Sequence, residues 1–346
     1  MEINNPIENE RRKLGTTAGG STYMITLPKN WIEELGLEKG ANVSLVRAGR
    51  GIYLATEVSA QDYDSSTKLV IREGELREAI GRSLISRYIA GFDIIEIEGD
   101  FSTEQRELIR QTAQRLIGAE ILQETGTFVL IRMLRDPHML SVDQLLQYIQ
   151  ENAEEMLKDA PLALIENDIE LAGGIIQRDE RVDRFFLFLS RQLYGSFRDP
   201  LGEVEQNISR VDFFNTHTIA RQLERVADHA VKIARACQAL ADEDLAIPST
   251  FAKRFKESSI SVQNVLHQAI ESFKDLNESE AHDALSLTPP IEKLIEEMDR
   301  ELLDLDNSHL AFHLGIVLDS IGRVKDYAAN IAEVSLNAES LQRAYR

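Results

Sequence analysis

Glu224 and Asp228 stand four residues apart, so on a helix their carboxylates share one face, one turn from each other. His217, seven residues before Glu224, falls on roughly the same face. Two carboxylates so placed, and turned inward between helices, repel each other and raise each other's pKa unless a cation neutralises them. Mg, Mn, Fe or Zn would do so, with neighbouring helices supplying further oxygens. Arg221, three residues before Glu224, offers the alternative of a surface Arg–Glu pair that needs no metal. The stretch occurs twice. LERVADHAVKIA at 223–234 aligns without gaps to IGRVKDYAANIA at 321–332, with six of twelve positions identical at an offset of 98 residues. A repeat of this kind implies two similar three-helix units.

Other reactive residues are scattered. His309 and His313 form a second i,i+4 pair with Asp306 three residues before them, a candidate metal pair or a solvated one. The aromatic run Phe185-Phe186-Phe188 reads as bundle core, and Cys237 as a buried, inert thiol with no evident histidine or basic partner. The phosphate-loop, dinucleotide, zincin and nucleophile-elbow motifs are all absent. No histidine has a glutamate three residues before it, as a di-iron carboxylate bundle would want. An enzyme is not expected.

These residues need helices to position them, and the helical period dominates from 141 to 346. Six helices are expected, at about 142–171, 175–197, 208–242, 250–277, 290–305 and 308–341, punctuated by Pro161, Pro200, Pro248 and Pro289-Pro290. Before them, 68–135 alternates strand (69–72), helix (75–90), strand (93–98) and helix (103–117), then closes with strands 119–124 and 127–133 around Thr125-Gly126. Ser102 and Gln105 form a capping box for the second helix. Residues 58–67 are polar and read as a linker. Residues 11–57 read as short strands around one helix: a strand at 21–26, Pro28 at the first helical position, a stop at Gly36-Leu37, and a hairpin of 43–47 with 52–56. So short a segment buries too little apolar surface alone and is expected to share its core with a second copy.

Composition narrows the class. The chain has 346 residues, 43% apolar and 28% charged, as a multidomain globular protein would. Its longest apolar run is five residues, 185–189, against roughly 20 for a bilayer span. With one cysteine and no secretory leader, a cytoplasmic protein without a disulfide framework is expected. The net charge is −20, yet residues 1–57 are neutral, with seven bases and seven acids. An acidic body repels nucleic acid, whereas a neutral head that opens with Arg11-Arg12-Lys13 need not.

The run RRKLGTTAGGSTYMITLPKNWIEELGLEKGANVSLVRAGRGIYLAT, within 11–57, resembles the SpoVT/AbrB swapped-hairpin domain, with its TLPK turn, LGL helix end and KGANV in order. The resemblance implies a dimer with interleaved hairpins that binds DNA through basic residues near the N-terminal strand. Arg11, Arg12, Lys13 and Lys29 are the candidate phosphate contacts, with Ser21 and Tyr23 as hydrogen-bonding neighbours.

The helix LERVADHAVKIA resembles the E/D-x-x-x-D helix of the PhoU phosphate-uptake regulators, and IGRVKDYAANIAE its second copy. RDERVDRFFLFLSRQL at 178–193 and IEKLIEEMDREL at 291–302 resemble the helices that face those motifs. In some archaeal-type members an AbrB-like head and a small α/β segment precede this body. The expected fold is therefore multidomain: a small swapped-hairpin β domain (1–57), a linker (58–67), a small α/β domain (68–135), then all-α PhoU-like tandem three-helix bundles (141–346, as repeats of about 141–245 and 250–346). By position, Glu224 and Asp228 match the first motif and Asp326 the second Asp. Asp183 and Asp299 sit where the opposing helices contribute acids, and a divalent or trivalent metal (Fe, Zn, Mn or Mg) is the implied cofactor. Gly322 replaces the first acid of the second motif. Asp319, seven residues before Asp326 on the same face, would take the place of that lost acid from one turn higher, unless Arg323 pairs with both Asp319 and Asp326. Lys232 and Arg235 stand where copy two keeps Asn330 and Glu333. The expected function is DNA-binding regulation of phosphate uptake by a homodimer. The alternative is protein contact with a phosphate transporter or histidine kinase, the head serving only to dimerise.

Overall fold

The computed structural model describes residues 10–17, 19–20, 22–48, 51–56, 65–72, 74–134, 140–198 and 208–345. The chain forms two compact units, residues 1–63 and 64–346.

In the first unit, β1 (Gly15–Thr16) pairs antiparallel with β2 (Tyr23–Met24), and β3 (Val43–Ala48) forms a hairpin with β4 (Gly51–Thr56) in the register Val43↔Thr56. The strand expected at 21–26 is shorter, and Ser21 lies outside the described residues. Pro28 takes the N-cap of α1 (Lys29–Glu34) rather than its first helical position. The helix ends as the sequence requires. Gly36 turns left-handed at φ 66°, its N–H donates to the Glu33 carbonyl, and the Leu37 N–H reaches back to Ile32 at 2.9 Å. Pro28 apart, no described apolar side chain of this unit is buried, and Leu45 and Ile52 are 69% and 77% exposed.

The second unit opens with a four-stranded sheet in the order β5 (Ser66–Val70), β6 (Ile94–Glu98), β8 (Phe128–Met133), β7 (Ala119–Glu124). Only the β5–β6 pair is parallel, because α2 (Arg77–Ile89) makes the crossover between them. The last two residues of the expected linker, Ser66 and Thr67, already belong to β5; residues 58–64 lie outside the described residues. β6 shows the period of two directly. Ile95 and Ile97 are buried with Ile80, Leu84 and Tyr88 in the core, while Glu96 and Glu98 point the other way and meet Lys68. α3 (Thr103–Arg115) carries the expected capping box between Ser102 and Gln105.

The long helices follow: α4 (Val142–Glu166), α5 (Ile169–Arg198), α6 (Arg210–Asp242), α7 (Ser249–Lys274), α8 (Glu278–Ser286), α9 (Thr288–Leu302) and α10 (Ser308–Tyr345). Pro161 does not punctuate; it sits buried inside α4. The chain breaks instead at Asn167, which turns left-handed at φ 55°, after which Asp168 caps α5 by accepting from the Leu171 N–H. The expected helix at 250–277 stops at Lys274, and α8 is an extra short helix capped by Asn277. Pro289 and Pro290 start α9, where a missing N–H costs nothing. Helices α4, α5 and α6 pack together, as do α7, α9 and α10, and the two groups join chiefly through α6 and α10. The 98-residue repeat is visible at that seam: His229 and its counterpart Tyr327 meet with ring centroids 5.7 Å apart. Among the described residues no helix is long and apolar enough to cross a membrane.

Candidate cation cluster

Glu224 on α6 feels the charges of its helix neighbour Asp228 and of Asp183 on α5, the helix that the resemblance sets opposite them. Asp179, one turn before Asp183, joins them and was not singled out from sequence. Apolar residues of α5 and α6 (Val182, Phe186, Leu223, Val226 and Ala227) are buried, and their packing sets the acids against each other along one edge of the pair.

Burial is the first cause that raises all four carboxyls, and repulsion by neighbouring carboxylates is the second for Glu224 and Asp179. Burial and the charges of Asp228 and Asp183 push the Glu224 carboxyl up to about 7, against the pull of Arg221 and Arg225. Asp179 is raised to about 6 by burial and by Asp183 and Asp228, with Arg235 and Arg115 opposing. Asp183 and Asp228 are raised as well, both by burial first. One carboxylate oxygen of Asp179 is buried and accepts no hydrogen bond among the described residues. A set of half-buried oxygens that crowd and hold protons is suited in donor chemistry to a hard cation. In placement it is not closed: among the described residues no three His, Cys, Asp or Glu side chains converge on one ion position. The neighbour that does reach in is a protein cation. Arg115, from the last turn of α3, donates to Asp183 at 2.7 Å.

His217 does not join the acids. Its Nε2 pairs with Ser190 at 2.9 Å, its ring lies 5.3 Å from Phe186, and burial with Arg221 lowers it to about 4, so it is neutral. Arg221 itself lies over the Phe186 ring, 4.9 Å from the centroid.

The second copy is assembled differently. Asp299, Asp319 and Asp326 line one cavity of about 400 Å³ with Glu292, Glu296 and Gly322. Arg323 lies 3.8 Å from Asp319 and 3.7 Å from Asp326, and Lys325 lies 3.3 Å from Glu292 and 3.2 Å from Asp326. Two protein cations therefore already meet these acids, which is the pairing that Arg323 offered as the metal-free alternative. His309 and His313 also find a partner other than Asp306: Glu243 at the end of α6 receives one on each oxygen, at 2.9 and 3.2 Å.

In the head, Arg11, Arg12 and Lys13 are exposed just before β1, and Tyr23 sits on β2 opposite Thr16 with its side chain exposed. Arg12 is paired with Glu10, and Lys29 with Glu33 at 3.3 Å.

Comparison with known proteins gives these two regions a family context. Residues 146–237 match the PhoU domain model, and residues 16–62 match the model of MazE, the bacterial antitoxin of antidote–toxin recognition. The chain carries a PhoU domain. Its N-terminal unit is a MazE/AbrB-like domain. A phosphate-specific transport system accessory protein PhoU homolog of Clostridium acetobutylicum is 22% identical over 189 residues, 53% of this chain and 84% of that one. PhoU from Pseudomonas aeruginosa shares the fold with a TM-score of 0.50 at 20% identity, covering 56% of this chain and 93% of that one. The phosphate transport system regulatory protein PhoU from Streptococcus pneumoniae gives the same score and identity, over 57% and 93%. The PhoU domain suggests a part in regulating phosphate transport, and the relatives are named as regulatory or accessory proteins rather than enzymes.

Proposed function

We propose that this chain is a cytoplasmic homodimeric transcriptional regulator of phosphate uptake, whose MazE/AbrB-like head binds DNA and whose PhoU domain senses transport status. The observation that carries the reading is the union of these two domains in one chain. The head supports it in two ways: most of its described apolar side chains are left uncovered in one copy, and Arg11 to Lys13 lie exposed at its start. A dimer would present eight cations from Arg11, Arg12, Lys13 and Lys29. The acid partners of Arg12 and Lys29 leave four of the eight free, so the slope of log K against log salt should fall between about −4 and −7. Fluorescence anisotropy of the full chain on duplex DNA tests this. Binding that is absent or insensitive to salt removes the DNA reading. Those same ion pairs favour the second reading, in which the head only dimerises and the body contacts a phosphate transporter or a histidine kinase.

Within the body, Asp179, Asp183, Glu224 and Asp228 are the residues suited to hold a divalent cation such as Mn, Mg, Zn or Fe. A bound cation would neutralise the carboxylates and so draw α5 and α6 together at that edge. Asp299, Asp319 and Asp326 are weaker candidates for a second ion, since Arg323 and Lys325 compete for them.

A further inference from the structure

The seam between the two three-helix groups ends in a cluster that involves neither the head nor the acidic edge of α5 and α6. Glu243 is the C-cap of α6, and the first two turns of α10 meet both oxygens of its carboxylate: His309 Nδ1 lies 2.9 Å from Oε2, and His313 Nε2 lies 3.2 Å from Oε1. An ionised carboxylate only accepts, so each of these nitrogens carries a proton and donates it. A second proton on either ring goes to the other nitrogen. The two contacts differ in weight. His313 has a side chain only 13% exposed, with the Phe312 ring 5.4 Å away, whereas His309 is 73% exposed and its pairing is screened by solvent.

Other charges stand at this end of the bundle. Asp242 and Asp244 flank Glu243, Asp304 and Asp306 precede α10, and Lys253 and Arg254 lie on the second turn of α7. Arg254 is committed to Glu297 and Glu301 of α9. The two histidines alone hold the Glu243 carboxyl below its ordinary value, the hydrogen bond from His313 first, against burial, which raises it.

We propose that Glu243, His309 and His313 form a proton-controlled latch between the two three-helix groups, closed when the imidazoles are charged and loosened when they are neutral. A neutral imidazole gives Glu243 an ordinary hydrogen bond; an imidazolium gives a charge-assisted one, about twice as strong. The sign follows from the two kinds of group. An unperturbed histidine binds its proton near pH 6.5, so that part of the latch is present below about 6.5 and is lost as pH rises. The carboxylate part is present above 4.5, the ordinary glutamate value, and is lost only as pH falls past the lowered one. Between these limits both parts are in place. The latch sets how firmly the end of α6, the helix of Glu224 and Asp228, is held to α10, the helix of Asp319 and Asp326. It depends on neither the DNA reading nor the cation reading.

Hydrogen–deuterium exchange of the full chain at pH 7.5 and 5.5, corrected for the intrinsic pH dependence of exchange, tests this in residues 240–245 and 308–314. An ion pair of this exposure corresponds to about a two- to fivefold change in protection. In the wild type, protection of both segments should rise by that factor on acidification. In Glu243→Gln the rise should vanish, in His313→Gln most of it should be lost, and in His309→Gln least. Glu224 and Asp179 titrate in the same interval, at about 7 and 6, but every variant keeps them. Only the part of the response that Glu243→Gln abolishes therefore belongs to the latch. A response of equal size in wild type and Glu243→Gln, or none in the wild type, would overturn the proposal.

Discussion

Replacing Glu224 by Gln should stabilise the protein at alkaline pH and do almost nothing at acid pH. The Glu224 carboxyl is raised from 4.5 to about 7, so between these values the folded state holds a proton that the unfolded state has released. The sign follows: the contribution is favourable below about pH 4.5 and is lost as pH rises through about 7. Glutamine mimics the protonated acid and cannot lose that proton. At 1.36 kcal/mol per pKa unit the full shift corresponds to about 3 kcal/mol, and the partial exposure of the site reduces this to about 1–2 kcal/mol. For a unit of this size that is a rise of about 2–6 °C in the unfolding midpoint. Calorimetry in chelator at pH 8 and pH 5 reads it directly, since chelation keeps a bound ion from offsetting the repulsion. A Gln variant that melts at or below the wild-type temperature at pH 8, or that gains equally at both pH values, would refute the claim that burial, with Asp228 and Asp183, raises this carboxyl.

Three further outcomes are expected. Gly322→Ala should raise the stability of the second bundle by about 1 kcal/mol, because a Cβ there meets only Ile295 at an ordinary 4.0 Å and helix propensity improves; thermal unfolding checks it. Arg191→Ala should destabilise by about 3 kcal/mol, by stripping its ion-pair partner from nearly buried Asp93, and hydrogen exchange should rise throughout the α/β module. The melting of a 1–63 fragment should depend on its concentration, since Pro28 apart no described apolar side chain there is buried in one copy; a concentration-independent midpoint with a monomer in sedimentation would contradict it.

Local rules made much of the architecture readable. The Gly36-Leu37 stop, the Ser102–Gln105 box and the alternation in β6 each act within a few residues, so their consequences were visible in the chain. The errors came where local signals compete. Pro161 looked like a break, but burial of α4 on α5 and α6 holds the helix through it, and Asn167 breaks the chain instead. Pro289-Pro290 stands where the helix expected at 290–305 begins, and α9 does start there, because the ring that ends a helix also suits its first turn. The acids on α6 were legible from spacing. Asp179 was missed although it lies one turn from Asp183, and Arg115 lies 68 residues away from its partner, with no local pattern to announce it. The Arg323 pairing with Asp319 and Asp326 was foreseen because i,i+3 and i,i+4 reach is local, whereas Glu243 between His309 and His313 depends on how α6 meets α10.

In the proposed function a PhoU-type body governs a DNA-binding head in one chain. Chromatin occupancy of the native protein, compared between phosphate-replete and phosphate-starved cells, measures that most directly. Discrete occupied sites beside phosphate-uptake genes, changing several-fold with phosphate, are the predicted result. Absence of enrichment at any site in both conditions, with recovery of the protein on the phosphate transporter or its kinase instead, would contradict it.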